Sequence, residues 1–288
     1  MAGSVRALGQ EARDLAMVGA VEIERGEIGA IPYAAVGSGR PVVVSAGLWP
    51  TTGVAGDKFV HGVLAPVRRL AAQRRLIVVN RRAGLPANLT MGDLAAEYAD
   101  SIRRHLDGPV DLIGTSTGGS IAQQVAADHP DVIRRLVLLS TACRLGPYGR
   151  ELQALVAAQL RAGQVRRAVG TGAADLVPPG LRTLARGVGW AAARRVVTSA
   201  AVAADLAATL EAEDGFDLAA CERPIQAKTL IIGGGRDRYY STGLFEETAA
   251  LIPGSVLRLF PRRGHIGVTT DPRAQALISG FLTAPQAE

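Results

Sequence analysis

The feature that most constrains the fold is a regular alternation of short apolar runs with longer helical segments. The apolar runs lie at 42–44, 76–79, 110–113, 136–139, 230–232 and 256–260. Runs of this kind are buried on both faces, as in parallel sheets. The intervening segments have helical patterns at 56–72, 92–106, 118–128, 242–252 and 272–282. The alternation predicts an α/β fold with a doubly wound, mostly parallel sheet and helices on both faces.

The residues before this alternation show a different pattern. An alanine-rich lead-in at 1–20 has weak helical periodicity, and 21–24 then alternates like a strand that Gly26 ends. A second strand is indicated at 31–36, closed by a glycine-containing turn. Two such segments close together in the sequence predict an antiparallel hairpin that opens the fold.

One long interval breaks the alternation, because 145–217 contains no convincing strand. Helical composition is found instead at 149–163 and 189–213, on either side of Pro178-Pro179-Gly180. At about 70 residues the interval is far too long for an ordinary connection between strands. We therefore expect a helical cap inserted into the core. The predicted division is a first core part at 1–144, a cap at 145–217 and a second core part at 218–288.

The net charge of +6 comes from arginine, since Lys58 and Lys228 are the only lysines among 32 basic residues. Nucleic-acid binding favours a clustered basic patch that is interleaved with aromatic residues. Here the arginines are dispersed and aromatic residues make up 4% of the chain. We therefore expect no nucleic-acid partner.

Membrane partners and cofactors are not expected either. A membrane span needs ~18–20 consecutive apolar residues, and no run approaches that length. The N-terminus carries charged residues where a signal peptide would need an unbroken apolar stretch, so a cytoplasmic location is predicted. Two cysteines and four histidines provide little material for a disulfide scaffold or a metal cluster. The sequence therefore predicts no metal and no cofactor, and it leaves the oligomeric state open.

The strongest chemical signal is the G-x-S-x-G pentapeptide at 114–118, which follows a predicted strand and opens a predicted helix. A turn this tight forces strained backbone angles at Ser116, and the small residues Gly114 and Gly118 let the backbones pass. The Ser116 hydroxyl is then presented at the carboxyl edge of the sheet. The alternative is a glycine-rich phosphate loop, but such a loop would need lysine where Ser120 stands. We therefore predict a nucleophile elbow at Ser116.

A serine hydroxyl needs a base to take its proton, and the base needs a carboxylate to orient it. In this motif's chain order both residues follow the serine. His265 is the downstream histidine that lies in a loop at the carboxyl end of a strand, where catalytic groups gather in open α/β sheets. Asp237 is the carboxylate that ends a strand between Ser116 and His265. The alternative for Asp237 is a solvated residue paired with Arg236 or Arg238.

The tetrahedral intermediate of acyl transfer needs two convergent backbone N–H donors. The residue after the nucleophile, Thr117, supplies one donor in this motif. The second donor is expected from the loop after an early strand, where Gly47 permits a turn and Leu48 is the predicted donor. The alternative for this loop is an ordinary glycine turn.

At this point the residues resemble the α/β-hydrolase superfamily, in its capped, single-domain esterase and lipase-like branch. The resemblance covers about residues 20–285 and depends on the elbow at 114–119, on Gly235-Arg236-Asp237, and on Gly264-His265 followed by Asp271-Pro272. The chain departs from the family pattern at Ala46, Thr115 and Asn80, where the family often has His, His and Asp respectively. The resemblance implies an eight-stranded, mostly parallel sheet with a helical cap inserted after the sixth strand.

Together these residues predict a serine hydrolase that cleaves an ester, thioester or lactone through a Ser-His-Asp triad and an acyl-enzyme. Ser116 attacks the carbonyl, His265 takes its proton and Asp237 orients His265. The N–H groups of Leu48 and Thr117 hold the oxyanion. The same triad serves a carbon–carbon hydrolase or a cofactor-free lyase, and a non-catalytic ligand receptor on this scaffold is a further alternative. The predicted cap is rich in Ala, Leu and Val, so we expect a small-molecule substrate with an apolar acyl part.

Overall fold

The computed structural model describes residues 22–285, and in that range eight strands form a single sheet. The strands are β1 (Glu24–Ile28), β2 (Ile31–Val36), β3 (Pro41–Ser45), β4 (Arg75–Val79), β5 (Val110–Thr115), β6 (Ile133–Leu139), β7 (Lys228–Gly234) and β8 (Val256–Phe260). Their order in the sheet is β1-β2-β4-β3-β5-β6-β7-β8. β2 pairs antiparallel with both β1 and β4, and all the other pairs are parallel. The predicted mostly parallel sheet is therefore confirmed.

Ten helices of the described range connect or follow these strands. They are α1 (Asp57–Leu64), α2 (Met91–His105), α3 (Thr117–Asp128), α4 (Pro147–Arg161), α5 (Val165–Asp175), α6 (Arg182–Val196), α7 (Ala200–Asp214), α8 (Thr242–Leu251), α9 (His265–Thr269) and α10 (Pro272–Thr283). None of these ten is long and apolar enough to cross a membrane. The helices predicted at 92–106, 118–128, 242–252 and 272–282 agree with α2, α3, α8 and α10.

The helix predicted at 56–72 is wrong in its length. α1 ends at Leu64, and a separate 3₁₀ turn follows at Arg68–Ala72. Pro66 lies between the two and explains the break, because proline has no N–H to donate to the preceding turn and its ring clashes with the carbonyl one turn back.

Two apolar clusters show that helices cover both faces of the sheet. Successive residues of a strand point to opposite faces, and Val43 belongs to one cluster while Val42 belongs to the other. The first cluster includes Leu94 of α2, together with apolar residues of α3 and α8. The second cluster includes Val60 of α1 and Ile278 of α10. The sheet is thus buried between two helical layers, as expected for a doubly wound fold.

The opening hairpin is present, but its first strand is shifted along the chain. β1 covers Glu24–Ile28 rather than 21–24, so Gly26 lies inside the strand instead of ending it. Gly26 is paired with Tyr33 of β2, and a Cβ on Gly26 would lie 2.9 Å from the Tyr33 ring. The glycine makes room for an aromatic ring on the neighbouring strand. The predicted lead-in at 1–20 lies outside the described residues.

β8 departs from the expectation that every apolar run is buried on both faces. It is the last strand in the sheet order, and its residues alternate between exposed and partly buried positions before the buried Phe260. Arg258 lies exposed in the middle of the strand. A charged side chain on an edge strand discourages pairing with other chains, so this residue fits the position.

The cap expected from the sequence lies between β6 and β7, where the described chain contains α4 to α7 and no strand. The helical segment predicted near 149–163 corresponds to α4, whereas the one at 189–213 is two helices. α6 ends at Val196 and α7 begins at Ala200, where Ser199 Oγ accepts the N–H of Val202 at 3.1 Å. This side-chain cap marks the start of a new helix. Sequence reasoning missed α5 and the first half of α6.

A buried carboxylate joins α7 to the core. Asp205 is 2% exposed and accepts the backbone N–H groups of Gly84 at 3.0 Å and Leu85 at 2.8 Å. Both donors lie in the loop after β4, outside any strand or helix, so Asp205 satisfies groups that the fold leaves unpaired. The contact joins the first half of α7 to the core.

Replacing Asp205 with alanine is expected to destabilise the protein, because the backbone N–H groups of Gly84 and Leu85 lose a charged acceptor. The free energy of unfolding should fall by about 1.5–3 kcal/mol, the contribution of a hydrogen bond to a charged group. Urea denaturation followed by circular dichroism measures the change. The matched control is Asp214→Ala, which removes an exposed ion pair with Arg150 at the other end of α7 and should cost less than about 1 kcal/mol. Equal losses in the two variants would contradict the anchoring role of Asp205.

Candidate active site

The G-x-S-x-G segment forms the tight turn between β5 and α3. Ser116 has φ 53° and ψ −126°, and it is one of two non-glycine residues with positive φ in the described chain. Such backbone angles store strain and gather at functional sites. A Cβ on Gly114 would lie 2.5 Å from the Gly118 carbonyl oxygen, and one on Gly118 would collide with the Ser45 carbonyl oxygen. The turn therefore requires glycine at both positions.

Hydrogen bonds join Ser116 to His265 and His265 to Asp237. Ser116 Oγ lies 3.0 Å from His265 Nε2, and His265 Nδ1 lies 2.8 Å from Asp237 Oδ2. A carboxylate only accepts hydrogen bonds, so this contact assigns the proton to Nδ1 and leaves Nε2 to accept one from Ser116 Oγ. The structure brings the three residues together although 149 positions separate the first from the last.

The Asp237 carboxylate is shielded from solvent and held on both oxygens. Its side chain has 0% exposure, and its Oδ1 accepts the backbone N–H groups of Tyr239 at 2.9 Å and Tyr240 at 3.2 Å. The alternative of a solvated aspartate paired with Arg238 is wrong, because Arg238 forms its ion pair with Asp175 at 2.9 Å. Asp237 Oδ2 therefore accepts the hydrogen bond from His265 Nδ1.

The two expected oxyanion donors lie on either side of Ser116. Thr117 is the first residue of α3, and N–H groups at a helix N-terminus have no carbonyl one turn back to accept them. On the other side, a Cβ on Gly47 would lie 3.4 Å from Ser116 Cβ, so the loop with Leu48 runs directly against the elbow. Within the described residues the Leu48 N–H makes no backbone hydrogen bond. Neither N–H group is therefore expected to be taken up by a backbone carbonyl oxygen.

Asn80 and Arg81 hold this loop in place from the end of β4. Asn80 Nδ2 donates to the carbonyl oxygens of Thr51 at 3.1 Å and Gly53 at 2.8 Å, and Arg81 Nη2 donates to that of Trp49 at 2.9 Å. Both side chains are 1% exposed. An aspartate has no N–H to give to carbonyl oxygens. Position 80, where the family often has Asp, therefore carries an amide that can donate to the carbonyl oxygens of Thr51 and Gly53.

Ser140, at the end of β6, is a site residue that sequence reasoning missed. It is the other non-glycine residue with positive φ, at 52°, and its Oγ donates to the backbone carbonyl oxygen of His265 at 2.8 Å. Ser140 thereby ties the backbone of His265 to the end of β6, the strand beside β5. A serine after a strand has no distinctive pattern, so only its position next to β5 in the sheet could have drawn attention to it.

Two tyrosines that sequence reasoning also missed pack on the His265 ring. The ring centroids of Tyr239 and Tyr240 lie 4.7 Å and 5.9 Å from that of His265. Burial raises the pKa of both phenols well above the ordinary value, so both remain protonated near neutral pH. They directly follow Asp237, and that adjacency is the signal that could have identified them.

His105 and His129 take no part in this arrangement. His105 Nδ1 lies 3.1 Å from the Ser101 carbonyl oxygen in its own helix, and His129 Nδ1 lies 3.3 Å from Arg103 Nη2. In residues 22–285 no group of three or more His, Cys, Asp or Glu side chains is placed to hold a metal ion.

Comparison with known proteins decides the family. A family model described as "Alpha/beta hydrolase family" matches residues 59–277, a range that contains Ser116, Asp237 and His265. The chain belongs to the alpha/beta hydrolase family. The eight-stranded, mostly parallel sheet expected from the resemblance agrees with this assignment.

Two curated relatives of this hydrolase are much longer than the region they share with it. It is 30% identical over 276 residues to "Polyketide synthase ThaQ" of Burkholderia thailandensis, and the match covers 87% of this chain and 12% of that protein. It is 45% identical over 53 residues to pimeloyl-[acyl-carrier protein] methyl ester esterase of Neisseria meningitidis serogroup B, covering 18% of this chain and 20% of that protein. The matched regions thus span only a small fraction of the length of both relatives.

A solved structure supports the fold over nearly the whole hydrolase. The enol-lactonase from Burkholderia xenovorans LB400 superposes with a TM-score of 0.68 at 21% identity, covering 91% of this chain and 100% of that one. At this identity the likeness establishes the shared fold.

The elbow geometry predicts that Gly114→Ala destabilises this hydrolase. The added Cβ would lie 2.5 Å from the Gly118 carbonyl oxygen, so the turn must shift. The free energy of unfolding is expected to fall by about 1–3 kcal/mol, as for other overpacked positions. Gly187→Ala in α6 is the matched control, since nothing lies within 4 Å of its added Cβ. Chemical denaturation should show the control unchanged or more stable by up to ~1 kcal/mol, and equal destabilisation would refute the steric argument.

Proposed function

We propose that this hydrolase cleaves a carboxylic ester, thioester or lactone through an acyl-enzyme formed on Ser116. The observation that carries the proposal is the continuous hydrogen-bond path from Asp237 through His265 to Ser116. A nucleophile that is bonded to a base, which a third group orients, is the arrangement of nucleophilic catalysis. Ser116 is also partly exposed, so a substrate can reach its hydroxyl.

In the first half of the proposed reaction, Ser116 Oγ bonds to the substrate carbonyl carbon while His265 Nε2 takes the hydroxyl proton. The carbonyl electron pair moves onto oxygen, and the N–H groups of Leu48 and Thr117 donate to that oxyanion. The electron pair then returns, the bond to the leaving oxygen or sulfur breaks, and the imidazolium gives its proton to the leaving group. The acyl group remains on Ser116.

In the second half, water completes the hydrolysis. His265 takes a proton from water as the water oxygen bonds to the acyl carbon, and the same N–H groups hold the second oxyanion. The bond to Ser116 Oγ then breaks and His265 returns the proton to it, which releases the carboxylic acid. The shielded Asp237 carboxylate stabilises the imidazolium that forms in both halves.

We further propose that the cap at 145–217 supplies the apolar wall of the acyl site. Its helices share an apolar cluster that includes Leu160, Leu206 and Leu210, and Leu48 of the oxyanion loop packs against this cluster. Ligand sites are mostly apolar with a few placed polar groups. A small-molecule substrate with an apolar acyl part therefore fits the proposed site. The names of two similar proteins support cleavage of an ester or lactone bond: one is a methyl ester esterase and the other is an enol-lactonase.

Removal of the nucleophile tests the proposal directly. Ser116→Ala is expected to lower kcat for a p-nitrophenyl ester by about 10⁴- to 10⁶-fold, and His265→Ala should be nearly as severe because triad members act as a unit. Circular dichroism of the purified variants serves as the control for folding. Near-normal hydrolysis by Ser116→Ala would refute the assignment, and a wild-type protein without any hydrolytic activity would favour a ligand receptor.

The cap proposal predicts a change in acyl-chain preference. Leu206→Ala removes apolar volume from the cluster against which Leu48 packs, so the ratio of kcat/KM for longer over shorter p-nitrophenyl esters should rise by roughly tenfold, the usual value of one or two methylenes. Leu184→Ala in α6 is the matched control, because that side chain is 68% exposed. A chain-length profile that stays the same in both variants would place selectivity outside the cap.

A further inference from the structure

Glu213 is a buried carboxylate on the cap helix α7, and its four hydrogen-bond donors come from three separate segments. Its Oε2 accepts Thr117 Oγ1 at 2.7 Å and Gln153 Nε2 at 3.0 Å. Its Oε1 accepts Ser120 Oγ at 2.9 Å and the Tyr240 hydroxyl at 3.2 Å. Glu213 is 1% exposed. Burying a carboxylate is costly, and four donors without an ion pair among them are what keep this one in place.

Two of these donors belong to the nucleophile elbow. Thr117 and Ser120 lie on the first turn of α3, directly behind Ser116. The backbone N–H of Thr117 is the proposed oxyanion donor, and its side chain is bonded to Glu213. The hydrogen bond that Thr117 donates to the cap thus holds the residue whose backbone N–H is the proposed oxyanion donor. Small errors in the position of such a donor weaken oxyanion stabilisation.

A third donor reaches the base. Tyr240 packs on the His265 ring with an interplanar angle of 26°, and its backbone N–H donates to Asp237 Oδ1 at 3.2 Å. Burial and the nearby charge of Glu213 raise the pKa of Tyr240, so its hydroxyl remains a donor to Glu213. The contact therefore links the cap to the orientation of His265 and Asp237.

Glu213 also contributes to the electrostatic surroundings of the oxyanion loop. Arg81, whose Nη2 holds the Trp49 carbonyl oxygen, is fully buried. Burial lowers the pKa of Arg81, whereas Tyr98, Glu213 and Asp205 act in the opposite direction. The two buried carboxylates of α7 thus compensate the charge of the arginine that anchors this loop.

We propose that Glu213 is a positioning residue through which the cap sets the geometry of both the oxyanion hole and the base. This inference rests on the proposed function of Ser116. Glu213 does not touch the reacting atoms in this arrangement; it acts through Thr117 on one side and through Tyr240 on the other. Loss of Glu213 should therefore impair the chemical step while substrate binding is retained.

The test compares Glu213→Ala and Glu213→Gln with Glu211→Gln, which removes a charge from an exposed ion pair with Arg161 on the same helix. Steady-state hydrolysis of p-nitrophenyl butyrate gives kcat and KM, and the rate of Ser116 labelling by a fluorophosphonate reports nucleophile reactivity. All rates are measured at a temperature at which circular dichroism shows each variant to be folded. The glutamine variant keeps the side-chain shape, so the test remains decisive if the alanine variant does not fold.

The expected result is a loss of kcat with little change in KM. Glu213→Ala should lower kcat and the labelling rate by about 100-fold and Glu213→Gln by about 10-fold, the range that misplacement of catalytic groups costs. KM should change by less than about threefold, because the lost interaction favours the transition state over the bound substrate. Glu211→Gln should match the wild type in both measurements.

Double variants show the route by which Glu213 acts. Thr117→Val and Tyr240→Phe each remove one donor and keep the neighbouring backbone. If Glu213 acts through them, either substitution combined with Glu213→Gln should cost less than the sum of the single effects on the activation free energy, since coupled residues are not additive. Full additivity in both pairs would overturn the proposed route.

The outcomes separate this inference from the proposed function. If the wild type is not labelled at Ser116, the proposed function fails and the inference fails with it. If the wild type is labelled and the folded Glu213 variants react at the same rate, only the inference is overturned. Losses that merely follow the unfolded fraction of each variant, with unchanged kcat per folded molecule, would likewise overturn it and leave Glu213 with a structural role.

Discussion

The positive φ of Ser116 is the constraint that β6, α3 and the loop after β3 must accommodate together. A non-glycine residue in this region costs about 1–3 kcal/mol, and the surrounding structure must hold it there. Here the Ser116 N–H donates to the Leu139 carbonyl oxygen at 3.0 Å, and the Gly119 N–H donates to the Ser116 carbonyl oxygen at 2.6 Å. The strain at the nucleophile is therefore balanced by β6 on one side and by the first turn of α3 on the other.

The parallel order of the sheet explains how residues far apart in sequence reach one site. β5, β6, β7 and β8 are neighbours both along the chain and in the sheet. Their carboxyl ends carry Ser116, Ser140, Asp237 and His265 in that order. Two carboxylates of α7, Asp205 and Glu213, then attach the cap to this edge at two points. The sheet thus places the residues of the proposed chemistry at one edge, and α7 holds the cap against that edge.

Much of the fold and of the candidate site could be predicted, because each depends on local patterns. Continuous apolar runs indicate buried parallel strands, and a serine between two glycines at a strand-to-helix turn indicates an elbow. His265 and Asp237 follow from their places after strands. These inferences needed no knowledge of which residues meet across the structure.

The remaining residues could not be predicted, because their roles arise from contacts between distant segments. Glu213 lies in a cap helix where a glutamate is ordinarily solvated, and it is buried among donors from α3, α4 and the loop after β7. Ser140 gains its contact from the return of the chain at His265, 125 residues later. The exposed face of β8 reflects its edge position, which the composition of the strand alone does not indicate.

The central claim is that an acyl group is transferred to Ser116. Rapid acid quenching during hydrolysis of a p-nitrophenyl ester, followed by peptide mass spectrometry, tests it most directly. The account predicts an early burst of p-nitrophenol and a peptide containing Ser116 whose mass has increased by that of the acyl group. The same peptide from Ser116→Ala should remain unmodified. Steady product formation by the wild type with no acyl mass on this peptide at any quench time, or the modification of a different residue, would contradict the account.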